Sequence, residues 1–248
     1  MHIFFQKTVF FKSVLFALAT LQFFIHQSEI SAKSHYKYDL AICAIFQNEE
    51  LYLKEWIEFH KLIGVQHFYL YDNLSTDNYE AVLKPYIQSG EVELISWPYS
   101  ANQGRNWTAI QSGAYKDALK HAKGKVKWLA ILDTDEFLFP VETTNCIKFL
   151  KEYEKPSIGG VCVNWQLYGT SRISKCTPDQ FMIEQLLLKA PTDYYENMHV
   201  KSIVRPEYVT DCKNPHYCVY KIGYTQVTSN KTPFKGCASS SVAVDKSV

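Results

Sequence analysis

The sequence predicts an α/β domain with a mostly parallel central sheet flanked by helices. From residue 39 onward, short apolar runs typical of buried strands alternate with segments whose apolar residues recur at helical spacing. Such alternation indicates parallel strands joined by crossover helices on both faces of the sheet. The chain has 248 residues, 47% of them hydrophobic, which is enough to bury a large core.

The first half of the chain carries the clearest elements. Strands are predicted at 39–46, 66–72, 92–97 and 128–133, and helices at about 52–63, 81–87 and 107–122. Asn48 is placed to cap the first helix, and Gly64 to end it. The alternation loosens after residue 140.

The second half predicts fewer elements. A strand is expected over 159–169, a helix over 178–189 and another strand over 199–209. No linker divides the chain, so the sequence predicts one domain over 37–230, followed by a polar tail over 231–248.

Residues 1–32 differ from the rest of the chain. Lys7 and Lys12 precede an apolar run at 13–25, and a polar stretch ending at Ala32 follows. This pattern is typical of a secretory signal peptide, or of an uncleaved signal anchor that associates with a membrane. We therefore expect an exported or anchored domain: periplasmic or extracellular in a bacterium, lumenal in the secretory pathway of a eukaryote.

The charge balance excludes one class of partner. The chain has 26 basic and 25 acidic residues and a net charge of +1. Proteins that bind nucleic acid usually carry a basic excess, so no nucleic-acid partner is expected.

Seven cysteines are compatible with export. Cys43 and Cys162 lie in apolar runs and are predicted core residues, whereas Cys212 and Cys218 are placed to form a disulfide across a short loop. Three Asn-x-Ser/Thr triplets are present, at Asn73, Asn106 and Asn230.

The strand at 128–133 ends in three acids within four positions, Asp133, Asp135 and Glu136. Carboxylates at the end of a strand can reach one divalent cation, and Mg²⁺ and Mn²⁺ prefer such oxygen ligands. The alternative is a turn with solvated acids. Asp72 also ends a predicted strand, and in parallel sheets ligands bind at the carboxyl ends of strands.

The motifs at 44–78, the Asp133-Thr-Asp-Glu-Phe motif, the segment 199–209 and the Asn-Pro-His-Tyr-Cys motif at 214–218 resemble glycosyltransferase family 92 and related bacterial transferases. The resemblance covers roughly 39–225. It implies a GT-A (nucleotide-diphospho-sugar transferase) fold and transfer of a sugar from a nucleotide-sugar donor, UDP-linked by resemblance. An inverting hexosyltransferase is expected, and a retaining mechanism is the alternative. The partners implied are that donor and a glycan or lipid-linked acceptor, and the cofactor is Mn²⁺ or Mg²⁺.

The resemblance also implies site residues. The metal would be bound by Asp133, Asp135 and, further along the chain, His216, with His199 a lesser match. The predicted donor-binding residues are Glu49, Asp72, Asn73, Ser75, Arg105 and Gln111. His60 is expected to be a structural, hydrogen-bonded histidine. Turn chemistry remains an alternative for Asn73 and Ser75.

Two roles belong to the acceptor half of the chain. An inverting mechanism needs a carboxylate as general base, and Asp193 and Glu196 are the candidates, although spacing does not decide among the downstream acids. Trp165 and Tyr168 are candidates for stacking on an acceptor sugar, with a role in the core as the alternative.

Two other functions remain open at this point. Haloacid-dehalogenase-type phosphatases also end a strand in Asp-x-Asp, but they need Thr or Val where this chain has Phe137. The second alternative is an inactive nucleotide- or carbohydrate-binding relative, because relatives commonly continue beyond the region matching residue 248, so the tail is either naturally shorter or truncated.

Overall fold

The computed structural model describes residues 35–100, 104, 106–177, 179–234 and 236. The predicted signal or anchor segment and most of the tail lie outside these residues. Within them, no helix is long and apolar enough to cross a membrane.

The described residues form a mixed α/β architecture. The strands are β1 Tyr38–Phe46, β2 His67–Asp72, β3 Val92–Ser96, β4 Val126–Ile131, β5 Ile158–Asn164, β6 Val200–Val204, β7 Val209–Asn214, β8 Tyr217–Tyr220, β9 Thr225–Thr228 and β10 Pro233–Phe234. The helices are α1 Leu53–Leu62, α2 Tyr79–Gln88, α3 Trp107–Ala122, α4 Cys146–Lys151 and α5 Met182–Gln185, with 3-10 turns at Tyr195–Met198 and Pro206–Tyr208.

Eight strands form one sheet in the order β10-β9-β5-β6-β4-β1-β2-β3. The four strands β3, β2, β1 and β4 are parallel neighbours, and β9 is parallel to β5. Strand β6 runs antiparallel to both β4 and β5, and so joins the two halves of the sheet. Strands β7 and β8 form a separate hairpin, closed by the predicted Cys212–Cys218 disulfide.

The core lies on both faces of the sheet, as the alternation of helices and strands predicts. Leu40, Ile42 and Ala44 of β1 pack with α1, α2 and α4 on one face. Ala41 and Cys43 pack with α3 and the β7–β8 hairpin on the other face. Because both faces are covered, each strand of the centre is fixed, and its carboxyl end is a rigid platform.

Three local predictions are wrong. Asn48 does not cap α1: it adopts φ +58°, and its Oδ1 instead accepts a hydrogen bond from the Thr76 N–H at 2.7 Å. The helix predicted over 178–189 is only the four residues of α5. The strand predicted over 199–209 is interrupted after Val204, because Pro206 begins a 3-10 turn. The sheet also continues beyond residue 230, because β10 pairs with β9.

Candidate functional site

Two of the predicted acids lie at the same edge of the sheet. Strand β1 pairs in parallel with β2 and β4, so that Phe46 is opposite Asp72 and Cys43 is opposite Ile131. Asp133 is the second residue after the end of β4. The carboxyl ends of β2 and β4 therefore place Asp72 and Asp133 at one edge, as the sequence predicts.

The Asp133 carboxylate is held on both oxygens. Oδ2 accepts a hydrogen bond from the Lys201 ammonium at 2.5 Å. Oδ1 accepts from the Gln111 amide at 3.3 Å and from the Tyr115 hydroxyl at 3.5 Å. Gln111 therefore contacts the predicted metal motif itself. Asp133 has a fixed orientation before any ligand binds.

Lys201 of β6 contacts a second acid. Its ammonium lies 3.0 Å from Oε2 of Glu136, and its side chain is 2% exposed. The same Glu136 oxygen accepts the Asp133 backbone N–H at 2.9 Å. Burial raises the pKa of Glu136, the Lys201 ammonium opposes this rise, and the Asp133 carboxylate adds to it. No role was predicted for Lys201 or Glu136.

Asp135 has a different environment. It is exposed, and it forms no hydrogen bond or ion pair with any described residue. Glu49, a predicted donor-side residue, lies near it: burial raises the pKa of Glu49, and the carboxylates of Asp135 and Asp77 raise it further. Asp135 and Glu49 thus offer oxygen atoms at the site, whereas the oxygens of Asp133 are already engaged.

Helix α1 holds the segment that follows these acids. The Trp56 indole N–H donates to the Glu136 carbonyl at 2.8 Å. The Nδ1–H of His60 donates to the Trp56 carbonyl at 2.7 Å, and its Nε2 accepts the Leu138 N–H at 3.1 Å. His60 is fully buried, and burial lowers its pKa to about 4. His60 is therefore the structural histidine that the sequence predicts.

The turn after β2 is built by its own polar side chains. Asp72 Oδ1 accepts the Ser75 N–H at 3.0 Å, and Ser75 Oγ accepts the Asn48 N–H at 3.0 Å. Burial raises the pKa of Tyr79 to about 12, and its hydrogen bond to the Asp72 carboxylate contributes to the rise. The turn is thereby tied to the loop after β1.

Asn73 lies inside this turn. It is 4% exposed, and its amide donates to the carbonyls of Trp97 at 2.7 Å and Tyr99 at 2.8 Å. These contacts tie the turn to the segment after β3, so they are long-range bonds and not the local turn chemistry considered as the alternative for Asn73. The structure thus gives Asn73 a structural role, and its contact with a donor stays a prediction. Arg105 lies outside the described residues.

A second cluster adjoins Lys201 on the downstream side. The Trp165 ring stacks on the His199 ring at 4.9 Å and lies 5.6 Å from the His216 ring. The Lys201 ammonium is 5.7 Å from the centre of the Trp165 ring. His199 Nδ1 lies 3.0 Å from Glu196 Oε2. Trp165, His199, His216 and Glu196 are therefore brought together beside the acids.

The other two candidates of this half are peripheral. Asp193 is exposed, and no hydrogen bond or ion pair with a described residue links it to the cluster. Tyr168 is 47% exposed and pairs with Lys189 through an isolated bridge.

The predicted metal-ligand set is not assembled. Within the described residues, no group of three His, Cys, Asp or Glu side chains is arranged to hold a metal ion. His216 Nδ1 donates to the Val200 carbonyl at 2.6 Å, and burial lowers its pKa. The uncommitted Asp135 and the nearby Glu49 nevertheless fit Mg²⁺ or Mn²⁺, which protein sites often bind through one or two carboxylates plus substrate phosphates.

Lys201 had a recognisable signal in the sequence. It lies, with Ser202, between the apolar residues of a buried strand, and a lysine is almost never fully buried unless its charge is paired. Its partners could not be identified from the sequence, because they lie 68 and 65 positions away.

Comparison with known proteins identifies the relatives of the chain. A rice (Oryza sativa subsp. japonica) family 92 protein is 30% identical over 68% of this chain and 27% of its own length. One from Arabidopsis thaliana is 27% identical over 72% of this chain and 30% of its own length. The chain thus spans less than a third of these relatives.

Two solved structures are also similar over part of their lengths. Residues 1–349 of Staphylococcus aureus TarS match with a TM-score of 0.43 and 15% identity, over 68% of this chain and 47% of that one. Glucosyl-3-phosphoglycerate synthase of Mycobacterium tuberculosis, solved with Mn²⁺ and UDP, matches with a TM-score of 0.33 and 16% identity, over 55% of this chain and 46% of that one. The model of glycosyltransferase family 92 matches residues 38–232. With its mostly parallel α/β sheet, this chain belongs to glycosyltransferase family 92.

Proposed function

We propose that the domain transfers a sugar from a nucleotide-sugar donor, UDP-linked by resemblance, to a hydroxyl group of a glycan or lipid-linked acceptor. The observation that carries the proposal is the contrast between the two acids of the Asp-x-Asp motif. Asp133 is rigidly hydrogen-bonded, whereas the exposed Asp135 is uncommitted and lies near Glu49. Family membership sets aside the phosphatase alternative.

The donor would lie along the edge of the sheet. Asp72 and Ser75 border the nucleoside end, and Asp135 with Glu49 would hold Mn²⁺ or Mg²⁺ against the diphosphate. A bound metal ion would stabilise the negative charge that develops on the leaving diphosphate. The rigid Asp133 keeps the carboxyl end of β4 in a fixed geometry, which a preorganised electrostatic site requires.

The acceptor would bind at the cluster around Trp165, whose ring offers a stacking surface. Glu196 suits the general base better than Asp193, because Glu196 is positioned by His199 at 3.0 Å beside that ring. In an inverting transfer, the base takes the hydroxyl proton while the acceptor oxygen bonds to the anomeric carbon and the bond to the diphosphate breaks.

Calorimetric titration of UDP with and without Mn²⁺ tests the donor site. We expect Mn²⁺-dependent UDP binding in the wild type and at least tenfold weaker binding in Asp135→Ala, with an unchanged melting temperature because Asp135 is exposed. Glu142→Ala, a change at an exposed acid outside the site, is the matched control and should bind like the wild type. Equal UDP affinity in the wild type and Asp135→Ala, or no binding by the wild type, would contradict the proposal.

A further inference from the structure

Lys201 gives the two acids of the Asp-x-Asp motif different electrostatic environments: its ammonium contacts Asp133 and does not contact Asp135. Its ammonium is buried, with 2% of the side chain exposed, and contacts Asp133 at 2.5 Å and Glu136 at 3.0 Å. Few lysines are buried this deeply, and those that are need a charged partner. Lys201 has two.

Asp133 and Glu136 in turn need a positive charge beside them. The Asp133 backbone N–H donates to Glu136 Oε2 at 2.9 Å, and the carboxylates of both residues contact the Lys201 ammonium, so the two side chains meet at the end of β4. Two carboxylates at one partly buried point repel each other unless a positive charge lies between them. The available cations are a lysine ammonium and a divalent metal ion, because both favour carboxylate oxygens.

We propose that the Lys201 ammonium is an internal counter-cation that occupies the position between Asp133 and Glu136 and excludes a divalent ion from it. The metal of the transfer reaction, which rests on the function proposed above, is thereby directed to the Asp135 side of the motif. Lys201 is a positioning residue in this scheme. It determines which carboxylate of the motif stays available to the metal.

Replacing the ammonium should therefore create a new metal site. Free Mn²⁺ can be quantified by electron paramagnetic resonance, without any nucleotide or sugar. We expect Lys201→Met to bind Mn²⁺ at least tenfold more tightly than the wild type, because Asp133 and Glu136 then both become ligands. We also expect Lys201→Met to have a lower melting temperature without metal, and Mn²⁺ to restore much of this loss.

Two variants serve as controls. Lys201→Arg keeps a positive charge between the acids and should bind Mn²⁺ like the wild type. Lys127→Met removes a different lysine, whose ammonium lies 2.7 Å from Glu154 Oε2 and which does not contact the motif. This variant should also leave Mn²⁺ affinity unchanged. An affinity gain that appears in Lys127→Met as well would contradict the proposal, because it would reflect a general loss of positive charge.

The role proposed for Lys201 can be tested separately from the proposed sugar transfer. In the double variant Lys201→Met/Asp135→Ala, the gain in Mn²⁺ affinity should persist, because it depends on Asp133 and Glu136. In Lys201→Met/Glu136→Gln it should disappear. Wild-type Mn²⁺ affinity in Lys201→Met, or a Lys201→Met chain that stays unfolded at saturating Mn²⁺, would overturn the inference whatever UDP titrations show.

Discussion

His60 connects helix α1 to the segment after the acids through both of its ring nitrogens. One nitrogen donates to Trp56 and the other accepts from Leu138, so the folded state requires the neutral ring. Burial lowers the pKa of His60 from 6.5 to about 4. Between these values, the unfolded chain binds a proton at this ring and the folded chain does not.

Stability should therefore depend on pH through this residue. The contribution of the neutral ring is fully present above the unfolded pKa and is lost as pH falls toward the folded pKa. From pH 7 to pH 4 we expect His60 to account for a loss of about 3 kcal/mol in the free energy of unfolding. Urea unfolding at several pH values measures this loss.

A comparison of variants isolates His60 from the other titrating groups. His60→Gln should be less stable than the wild type at pH 7, and the difference should shrink as the pH falls to 4. His121→Gln, at a side chain that is 38% exposed, should keep the pH dependence attributed to His60. A constant difference between wild type and His60→Gln across this range would show that His60 does not titrate as described.

At the scale of single residues, the sequence locates acids better than their partners. Asp72 and Asp133 follow apolar strands, so the edge rule places them correctly. Their environments depend on residues far along the chain: Lys201 neutralises Asp133 from β6, and Asp77 and Asp135 flank Glu49. No spacing rule contains the Lys201 contact, because it forms only when β6 inserts between β4 and β5.

Among the elements, α1 has the clearest structural link to the site. The Trp56 indole bonds to the Glu136 carbonyl, whereas the buried indole N–H of Trp128 has no partner among the described residues. Phenylalanine at either position removes similar volume, but only Trp56→Phe leaves a backbone carbonyl unpaired. We expect Trp56→Phe to be less stable than Trp128→Phe by about 1–2 kcal/mol.

The same pair of variants tests whether α1 positions the acids. Mn²⁺-dependent UDP affinity should fall several-fold in Trp56→Phe and stay close to the wild type in Trp128→Phe. Chemical denaturation and calorimetry supply the two measurements. If both variants lose stability and affinity equally, the bond to Glu136 carries no specific role.

The elements that the sequence predicts correctly are those with strong local signals. Strands β1 to β4 are apolar runs, and α3 has buried residues at helical spacing, so local pattern and final structure agree. Strands β7 to β10 lie outside the predicted set because they are short, with lengths of 6, 4, 4 and 2 residues. Helix α5 is shorter than predicted. Its first N–H groups, those of Met182 and Ile183, bond to the distant Glu55 carboxylate, so its start is fixed by tertiary contact.

For the whole molecule, export remains a prediction from residues 1–32. It can be tested through the three Asn-x-Ser/Thr triplets. Asn73 is 4% exposed, Asn106 caps α3 with its side chain, and Asn230 lies in the exposed turn between β9 and β10. We expect the chain, expressed with its own N-terminus in eukaryotic cells, to carry a glycan at Asn230 and none at Asn73.

Peptide mass spectrometry shows whether Asn230 and Asn73 carry a glycan. Asn230→Gln is the matched control, which should lose the glycan mass. N-terminal sequencing of the same material shows whether the segment is cleaved. An intact, unglycosylated cytosolic chain beginning at Met1 would contradict export, and a glycan on Asn73 would contradict the burial of this turn.

The antiparallel strand β6 also affects the order in which the protein can assemble during synthesis. Strand β5 is made before β6 but is separated from β4 by it, so β5 cannot join the sheet until β6 has emerged. Asp133 leaves the ribosome 68 residues ahead of Lys201. At about 5–20 residues per second, that interval is roughly 3 to 14 s. Throughout it, the nascent chain carries the acids at the end of β4 without the ammonium that neutralises them.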